Sequence, residues 1–403
     1  MIAPGYLVQA WLFETHRALG GFGYQVTMVG VSALVWSLLI LSAHPWLSGS
    51  FDALCDVRVP PNKGNNILDT PSLLDYLSCM AKTLNLPSSL SDAIRYFADK
   101  DVAHTFLVSL RWPNGAFCPA CNAKNPMFLK TRRIYKCRDC GRQFSAKLGT
   151  IFEDSPLGLD KWLPAIWMLA NSKNGISSYE LGRALGVTQK TAWFMLHRIR
   201  LAMQTRTFYK LRGAVEADES FIGGAAKFMH KSKRARFIRG TGGMNKTPVL
   251  GMLERSKGVK LSRVRAVVVK NVAQDVLRKQ IMASVKKGSK LYTDTTFAYT
   301  KGRLPKLYEH EAINHAREYV RGQVHTNGLE NFWSLLKRAI KGTYVSVDPF
   351  HLFRYVDEQV HRFNNRGLND RGRFVDVVKS IVDRRLTYSK LIGADLKLAT
   401  TPA

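Results

Sequence analysis

Ala214-Val215-Glu216-Ala217-Asp218 is the stretch on which the reading of this chain turns. Apolar and acidic residues alternate in it, and successive side chains of a strand point to opposite faces. A strand over 215–218 therefore places Glu216 and Asp218 on one face, with Val215 and Ala217 on the other. Two acids on a half-buried strand face are costly unless cations pair with them. Two further acids are placed to share such cations. Asp294 ends a short strand-like run from Leu291. Glu330 opens an amphipathic helix over about 328–340, within His325-Thr326-Asn327-Gly328-Leu329-Glu330-Asn331-Phe332-Trp333. The 35 residues between Asp294 and Glu330 leave room for a crossover.

From Leu211 onward, strand and helix patterns alternate. Runs at 249–253 and 264–269 are β-rich, 271–285 has helical spacing, and 291–294 is a short strand. Leu329, Trp333, Leu336 and Ile340 form the buried stripe of the last helix. The chain is thus a multidomain α/β protein, and this order matches the start of an RNase H-like layer. Hard carboxylate oxygens at Asp218, Asp294 and Glu330 suit two Mg²⁺ or Mn²⁺ ions, which clamp the attacking and leaving oxygens of an in-line phosphodiester displacement. His325 and Asn327 would orient that site, although His325 reads equally well as a loop histidine. Asn327 as N-cap and Glu330 as third helical residue would also form a capping box. That local role is compatible with metal binding only if the carboxylate leaves the cap.

Charge sets the partner class. Sixty Lys and Arg against thirty Asp and Glu give a net charge of +30, which attracts polyanions by releasing their condensed counterions. An anionic membrane would also respond to it. Residues 1–64 carry three bases and three acids, so the whole excess lies beyond them. Residues 227–246 hold seven bases and no acid. Lys231, Lys233, Arg234 and Arg236, with Gly240, Gly242 and Gly243 behind them, read as a mobile phosphate-contacting arm or, more blandly, a solvated loop. Lys337, Arg338 and Lys341 fall away from the buried stripe and are placed to grip phosphates.

Six cysteines are present, and Cys55 and Cys79 are isolated. The other four form two C-x-x-C pairs, Cys118/Cys121 and Cys137/Cys140, separated by 15 residues. That spacing predicts a tetrahedral Zn²⁺ site of the zinc-ribbon type in a reducing cytosol. Residues 69–110 look helical, with start signals at Asp69-Thr70-Pro71-Ser72 and after Pro87. Beyond the ribbon, 159–172 is an amphipathic helix in which Pro164 is tolerable only in the first turn. Ser177 and Glu180 predict a capping box for a second helix, Gly186 a turn, and Thr188 the cap of a third helix over 191–203. Helix, Gly-bearing turn and basic helix is a helix-turn-helix pattern. It makes Gln189, Lys190, His197, Arg198 and Arg200 candidate DNA contacts, though trihelical packing modules look similar.

The uncharged 18 residues 26–43 are just long enough for a membrane helix and resemble the apolar part of a signal peptide, without its positive flank. An over-extended start over residues 1–64 is the favoured expectation. A membrane anchor and a buried hairpin or helix are the alternatives.

The chain from about 68 to 365 resembles the zinc-ribbon DDE transposases of bacterial insertion sequences, of the ISXO-like group. The resemblance rests on the paired C-x-x-C motifs, Val215-Glu216-Ala217-Asp218-Glu219-Ser220-Phe221-Ile222-Gly223-Gly224, Tyr292-Thr293-Asp294 and the helix start at 325–338. Gly342-Thr343-Tyr344, Arg354-Tyr355-Val356-Asp357-Glu358 and Arg362-Phe363-Asn364-Asn365-Arg366 extend it. It implies metal-binding acids at Asp218, Asp294 and Glu330, and cleavage at transposon ends followed by strand transfer into target DNA. Double-stranded DNA is then the partner, a homo-oligomer on paired ends the working assembly, and the cytoplasmic nucleoid the location. No stable membrane partner is favoured. The alternative is a catalytically inactive DNA-binding regulator. The expected segments are an N-terminal extension (1–64), a helical segment (65–112), a zinc ribbon (113–150), a helix-turn-helix (156–205), an RNase H-like catalytic domain (210–345) and a helical C-terminal segment (346–403).

Overall fold

A computed structural model describes residues 86–205, 209–224, 226–238, 245–256, 258, 260–294, 304–313 and 325–394. The chain divides after Asn85, and the described residues all belong to the second unit. The apolar stretch 26–43, the start signal at Asp69, Cys55, Cys79, Gly240, Gly242 and Gly243 lie outside the described residues. Among the described residues no helix is long and apolar enough to cross a membrane.

Helices α1 (Leu90–Ala98) and α2 (Lys100–Arg111) are started by Ser89 and Asp99, whose side-chain oxygens accept from first-turn N–H groups. Strands β1 (Met127–Leu129), β2 (Ile134–Lys136) and β3 (Gln143–Ser145) form an antiparallel sheet. Tyr135 stacks on Phe144 at 5.6 Å, and Trp112 meets both edge-on.

Three helices follow: α3 (Leu159–Asn171), α4 (Ser178–Leu185) and α5 (Gln189–Met203). The Ser177–Glu180 capping box closes in both directions, Gly186 is left-handed with φ 61°, and Thr188 accepts from the Thr191 N–H. Pro164 differs from expectation, because it lies in the second turn of α3 and the helix runs on through it. Its buried ring contributes to the core, and the backbone bond it removes is a single one to the Asp160 carbonyl.

The main sheet is built from β4 (Ala214–Ile222), β5 (Thr247–Glu254), β6 (Arg263–Val268), β7 (Lys290–Asp294) and β8 (Glu309–Ile313). Its order is β6-β5-β4-β7-β8. β4, β5 and β6 are antiparallel neighbours, whereas β7 runs parallel to both β4 and β8. The alternation in β4 assigns its two faces. Val215 and Ala217 pack with Leu277 and Ile281 of helix α7 (Gln274–Ser284). On the other face helix α9 (Asn327–Ala339) lays Leu329, Phe332, Trp333 and Leu336 against Val249 and Leu253. Each such side chain contributes about 1.5–3 kcal/mol by leaving water. The expected stripe of α9 is buried as read, with Phe332 added to it. Between β4 and β5 the basic segment contains a short helix, α6 (Lys231–Phe237), and among the described residues between β7 and β8 there is one helical turn, α8 (Leu304–Leu307).

α9 passes into a π-helical turn, Ile340–Tyr344, ahead of α10 (Leu352–Asn364), α11 (Asp370–Lys379) and α12 (Tyr388–Ile392). α10 packs against both β6 and α5 and so joins the trihelical segment to the sheet. At this junction Glu358 of α10, fully buried, meets Arg200 of α5 at 2.6 Å, and it also pairs with Arg362. The Arg200 guanidinium sits over the Tyr355 ring at 4.0 Å. Burial opposes the Glu358 charge, but Arg362 and Arg200 hold its carboxyl below the usual range.

Asp357, one residue away, behaves in the opposite sense. Burial pushes it up to about 6, against the pull of Arg354 and Arg384. Between about pH 4 and pH 6 the unfolded chain has therefore released this proton while the folded chain keeps it. Stability contributed here falls as pH rises through that window, by up to about 3 kcal/mol, and is level above it. Asp357→Asn is expected to remove the fall, read as the wild-type-minus-variant difference in urea midpoints at pH 4 and pH 7.

Candidate active site

β4 and β7 are parallel neighbours paired as Ala217↔Thr293. The next residue on each strand is Asp218 and Asp294, so the two carboxylates leave the sheet side by side, about 5 Å apart in backbone spacing. Glu330 comes from α9, which lies over the same face of β4. The indole N–H of Trp333, one turn further along α9, donates to Asp218 Oδ2 at 2.9 Å. Burial pushes the Asp218 carboxyl above its usual range, and the negative charges of Asp294 and Glu330 add to the effect against the Trp333 bond. Among the described residues the four cysteines form the group whose ligand atoms all lie within 4.8 Å of one another; the oxygens of the three acids stand wider. Like charges keep apart unless a cation lies between them.

The capping box that Asn327 and Glu330 could have formed, the alternative reading of Glu330, is absent. The helix begins one residue earlier than that box requires, with Thr326 as N-cap and no side-chain cap bond, which leaves Glu330 exposed and free of a capping role. Glu216 fills the capping role from the neighbouring strand. Its Oε2 accepts the Leu329 N–H at 3.0 Å and its Oε1 takes Arg255 Nε at 2.8 Å. An anion among the first N–H groups of a helix meets the positive end of its dipole. Glu216 was expected to share cations with Asp218; buried to 1% exposure, it is neutralised by Arg255 instead. Arg255 also donates through Nη2 to the carbonyl (2.7 Å) and Nδ1 (3.0 Å) of His325. Arginine can only donate, so Nδ1 accepts and the ring proton rests on Nε2. Burial, then the Arg255 charge, holds His325 below its ordinary pKa against the pull of Glu216 and Glu330, so the ring is neutral at pH 7.

Close packing makes two glycines necessary. A Cβ on Gly251, which faces Asp218 across β5, would sit 2.6 Å from Trp333 Cζ2 and 2.9 Å from Leu329 Cδ2. A Cβ on Gly328 would meet Glu216 Oε2 at 2.8 Å. Gly251→Ala is expected to destabilise the fold by about 1–3 kcal/mol through overpacking, and to displace the indole from Asp218. Thermal melting and the environment of the Trp333 indole by fluorescence check it; an unchanged melt and spectrum would refute the steric account.

The cysteine cluster matches a zinc site. Sγ atoms of Cys118 and Cys140 lie 3.7 Å apart, and those of Cys121 and Cys137 lie 3.5 Å apart. A tetrahedron of thiolates about 2.3 Å from zinc has edges of about 3.8 Å. All four cysteines are free of disulfides. Although burial opposes it, backbone N–H groups of Cys121 and Ala120 bring the Cys118 thiol down to about 6. The Ala123 N–H favours the Cys121 thiolate, but hydrogen bonds with Cys137 and Cys118 push that thiol up to about 12. Cys118 thus forms a thiolate readily while Cys121 awaits a cation, which suits a structural zinc.

The expected DNA contacts divide by exposure. Gln189 and Lys190 at the start of α5 are exposed, as are Lys231, Arg234 and Arg236 on α6 and Lys337, Arg338 and Lys341 beyond Glu330. The backbone of Lys233 lies in α6 with these. Arg198 and Arg200 are not available to DNA in this fold. Arg198 donates to the carbonyls of Ile151 (3.0 Å) and Glu153 (2.7 Å), and Arg200 is spent on Glu358. The C-terminal half of α5 is buried all round, because α10 covers the face that the basic residues were expected to present. His197 is also buried, held down to about 2 by burial and the nearby charges of Arg200, His351 and Arg354.

Two family models match this chain: an ISXO2-like transposase domain over residues 210–364 and a transposase zinc-ribbon domain over residues 98–143. An uncharacterized protein in transposable element ISH50 of Halobacterium salinarum is 28% identical over 255 residues, 61% of this chain and 84% of that protein. An uncharacterized transposase-like protein of Haemophilus influenzae is 30% identical over 120 residues, 30% of this chain and 94% of its own length. The ribbon carrying the four cysteines and the sheet carrying Asp218 and Asp294 both fall within the matched regions, and the chain belongs to the ISXO2-like transposase family.

Proposed function

We propose that this transposase cleaves DNA at the ends of an insertion sequence and transfers the strands into target DNA, using Asp218, Asp294 and Glu330 as ligands for divalent cations. The observation that carries the reading is the parallel pairing of β4 with β7, which sets two acids side by side while Trp333, from the helix bearing Glu330, bonds one of them. The strand order β6-β5-β4-β7-β8, with its antiparallel three-strand edge, supports an RNase H-like core over 210–345. Repulsion at Asp218 and hard oxygen donors fit Mg²⁺ or Mn²⁺. When bound, two such ions activate an attacking water or 3′-hydroxyl and stabilise the leaving oxyanion.

The protein's own residues prepare that centre. Trp333 fixes the Asp218 rotamer, and Glu216 anchors the start of α9 so that Glu330 is presented over the same face. Arg255 holds His325 neutral with its proton on Nε2, a donor for a phosphate oxygen. Asn327, exposed in the first turn of α9, adds an amide nearby. Phosphate contacts come from Lys337, Arg338 and Lys341, and from Lys231, Lys233, Arg234 and Arg236. The trihelical segment 156–205 acts as a helix-turn-helix that reads double-stranded DNA through Gln189 and Lys190, since the N-terminal residues of a recognition helix are those that reach base edges. A zinc-stabilised ribbon over 113–150 supports it, and two or more copies act on paired ends.

The test is a cleavage assay with the full chain, Mg²⁺ and duplexes taken from the DNA flanking its reading frame. Nicking at an inverted repeat and joined products are expected. Tight binding of those duplexes with no cleavage in Mg²⁺ or Mn²⁺ would leave only a DNA-binding regulator.

A further inference from the structure

The sheet has a second charged feature at the end where β4 begins. A cavity of about 870 Å³ opens there, with Lys210, Arg212, Lys260, Arg263 and Lys286 in its wall and Glu254 as the sole acid among the described residues. Glu254 is already engaged, accepting the Arg212 N–H at 3.0 Å. Among the described residues, no carboxylate pairs with the side chains of Lys260, Arg263 or Lys286, and all three are exposed. Crowded like charges cost stability unless an anion neutralises them. The cations come from three separate segments around a space far larger than one phosphate, so they suit a run of phosphates better than a single small anion.

Two details give the anion a character and a direction. Tyr209 lines the same cavity at 81% exposure, while its carbonyl accepts from Arg265 Nη2 at 2.7 Å. An aromatic ring displayed beside a basic groove is a stacking platform for an unpaired base. Arg255 also lines the cavity, and it is the residue that binds Glu216 and His325. The groove therefore shares Arg255 with the residues that anchor the start of α9.

Resting on the reading of the chain as a DNA-cleaving enzyme, we propose that this groove binds a single nucleic-acid strand. The strand's phosphates lie along Lys210, Arg212, Lys260, Arg263 and Lys286, and a base stacks on Tyr209. None of these residues belongs to the duplex-reading or catalytic sets described above. The groove holds a strand separated from its complement on the way to or from the site of chemistry.

The test measures binding without divalent metal, so that its outcome is independent of catalysis. Full-length protein is titrated with a single-stranded oligonucleotide, its duplex and inorganic polyphosphate over a range of salt. The triple variant Lys260→Gln, Arg263→Gln, Lys286→Gln is expected to weaken single-strand binding at least about tenfold and to lower the salt slope by about 0.7 per lost contact, roughly 2 in all. Lys260→Arg with Lys286→Arg is expected to bind as wild type, which separates charge from folding. Tyr209→Ala is expected to weaken binding of the oligonucleotide but not of polyphosphate. An unchanged slope in the triple variant overturns the proposal. So does an equal loss on duplex, or a Tyr209→Ala effect shared by polyphosphate. Each of these results is separable from failure of the cleavage assay.

Discussion

Asp218→Asn is expected to lower divalent-ion-dependent cleavage by at least about a thousandfold, equivalent to roughly 4 kcal/mol of barrier, while the protein stays folded. The substitution keeps an oxygen able to accept from Trp333, so the contact at 2.9 Å survives. It removes a charge that burial and two neighbouring acids already oppose, so the melting temperature stays level or rises. Asp294→Asn and Glu330→Gln are expected to act alike, because the three acids serve as one unit and losses within a unit do not add. Single-turnover cleavage in Mg²⁺, with melting as control, reads both halves. Wild-type cleavage by Asp218→Asn would remove the acid from the chemistry.

Glu358→Ala is expected to have the largest effect on stability. Glu358 is fully buried between Arg200 and Arg362, at 1% and 8% exposure, and accepts the Tyr344 hydroxyl on Oε1. Burial and the Glu358 charge push that hydroxyl up to about 12, so Tyr344 remains a donor across the ordinary pH range. Removing the carboxylate leaves two guanidinium groups without a counter-charge in the interior, a loss of about 3–5 kcal/mol. The same residue joins α5 to α10 and to the turn after α9, so the trihelical segment should loosen together with the sheet. Urea unfolding followed separately by far-ultraviolet circular dichroism and by tryptophan fluorescence checks this; coincident transitions with a wild-type midpoint would refute it.

Local physics made much of the architecture legible from residues alone. The alternation at 214–218, the cysteine spacing, the Ser177–Glu180 box and the α9 stripe each rest on interactions within a few residues, and each is present in the structure. What escaped sequence reading depends on partners far away in the chain. Arg200 and Glu358 are 158 residues apart, and no periodicity within α5 signals that α10 will cover its basic face. Glu216 and Leu329 are 113 residues apart, and the local sequence offers Asn327 as the alternative cap of α9. Arg255 stands just past a strand end with no motif around it, although it governs Glu216, His325 and the basic groove together. β8, five residues beginning Glu309-His310-Glu311, lacks the apolar alternation of a half-buried strand because it is the edge of the sheet.

The central claim is that Asp218, Asp294 and Glu330 share divalent cations. Its most direct test is Mn²⁺ binding by electron paramagnetic resonance on the zinc-loaded full chain. Wild type is expected to bind Mn²⁺, and Asp218→Asn, Asp294→Asn and Glu330→Gln are each expected to weaken binding by at least about tenfold, while Cys137→Ser leaves it unchanged wherever that protein remains folded. Mn²⁺ binding in the three acid variants equal to wild type would contradict the account.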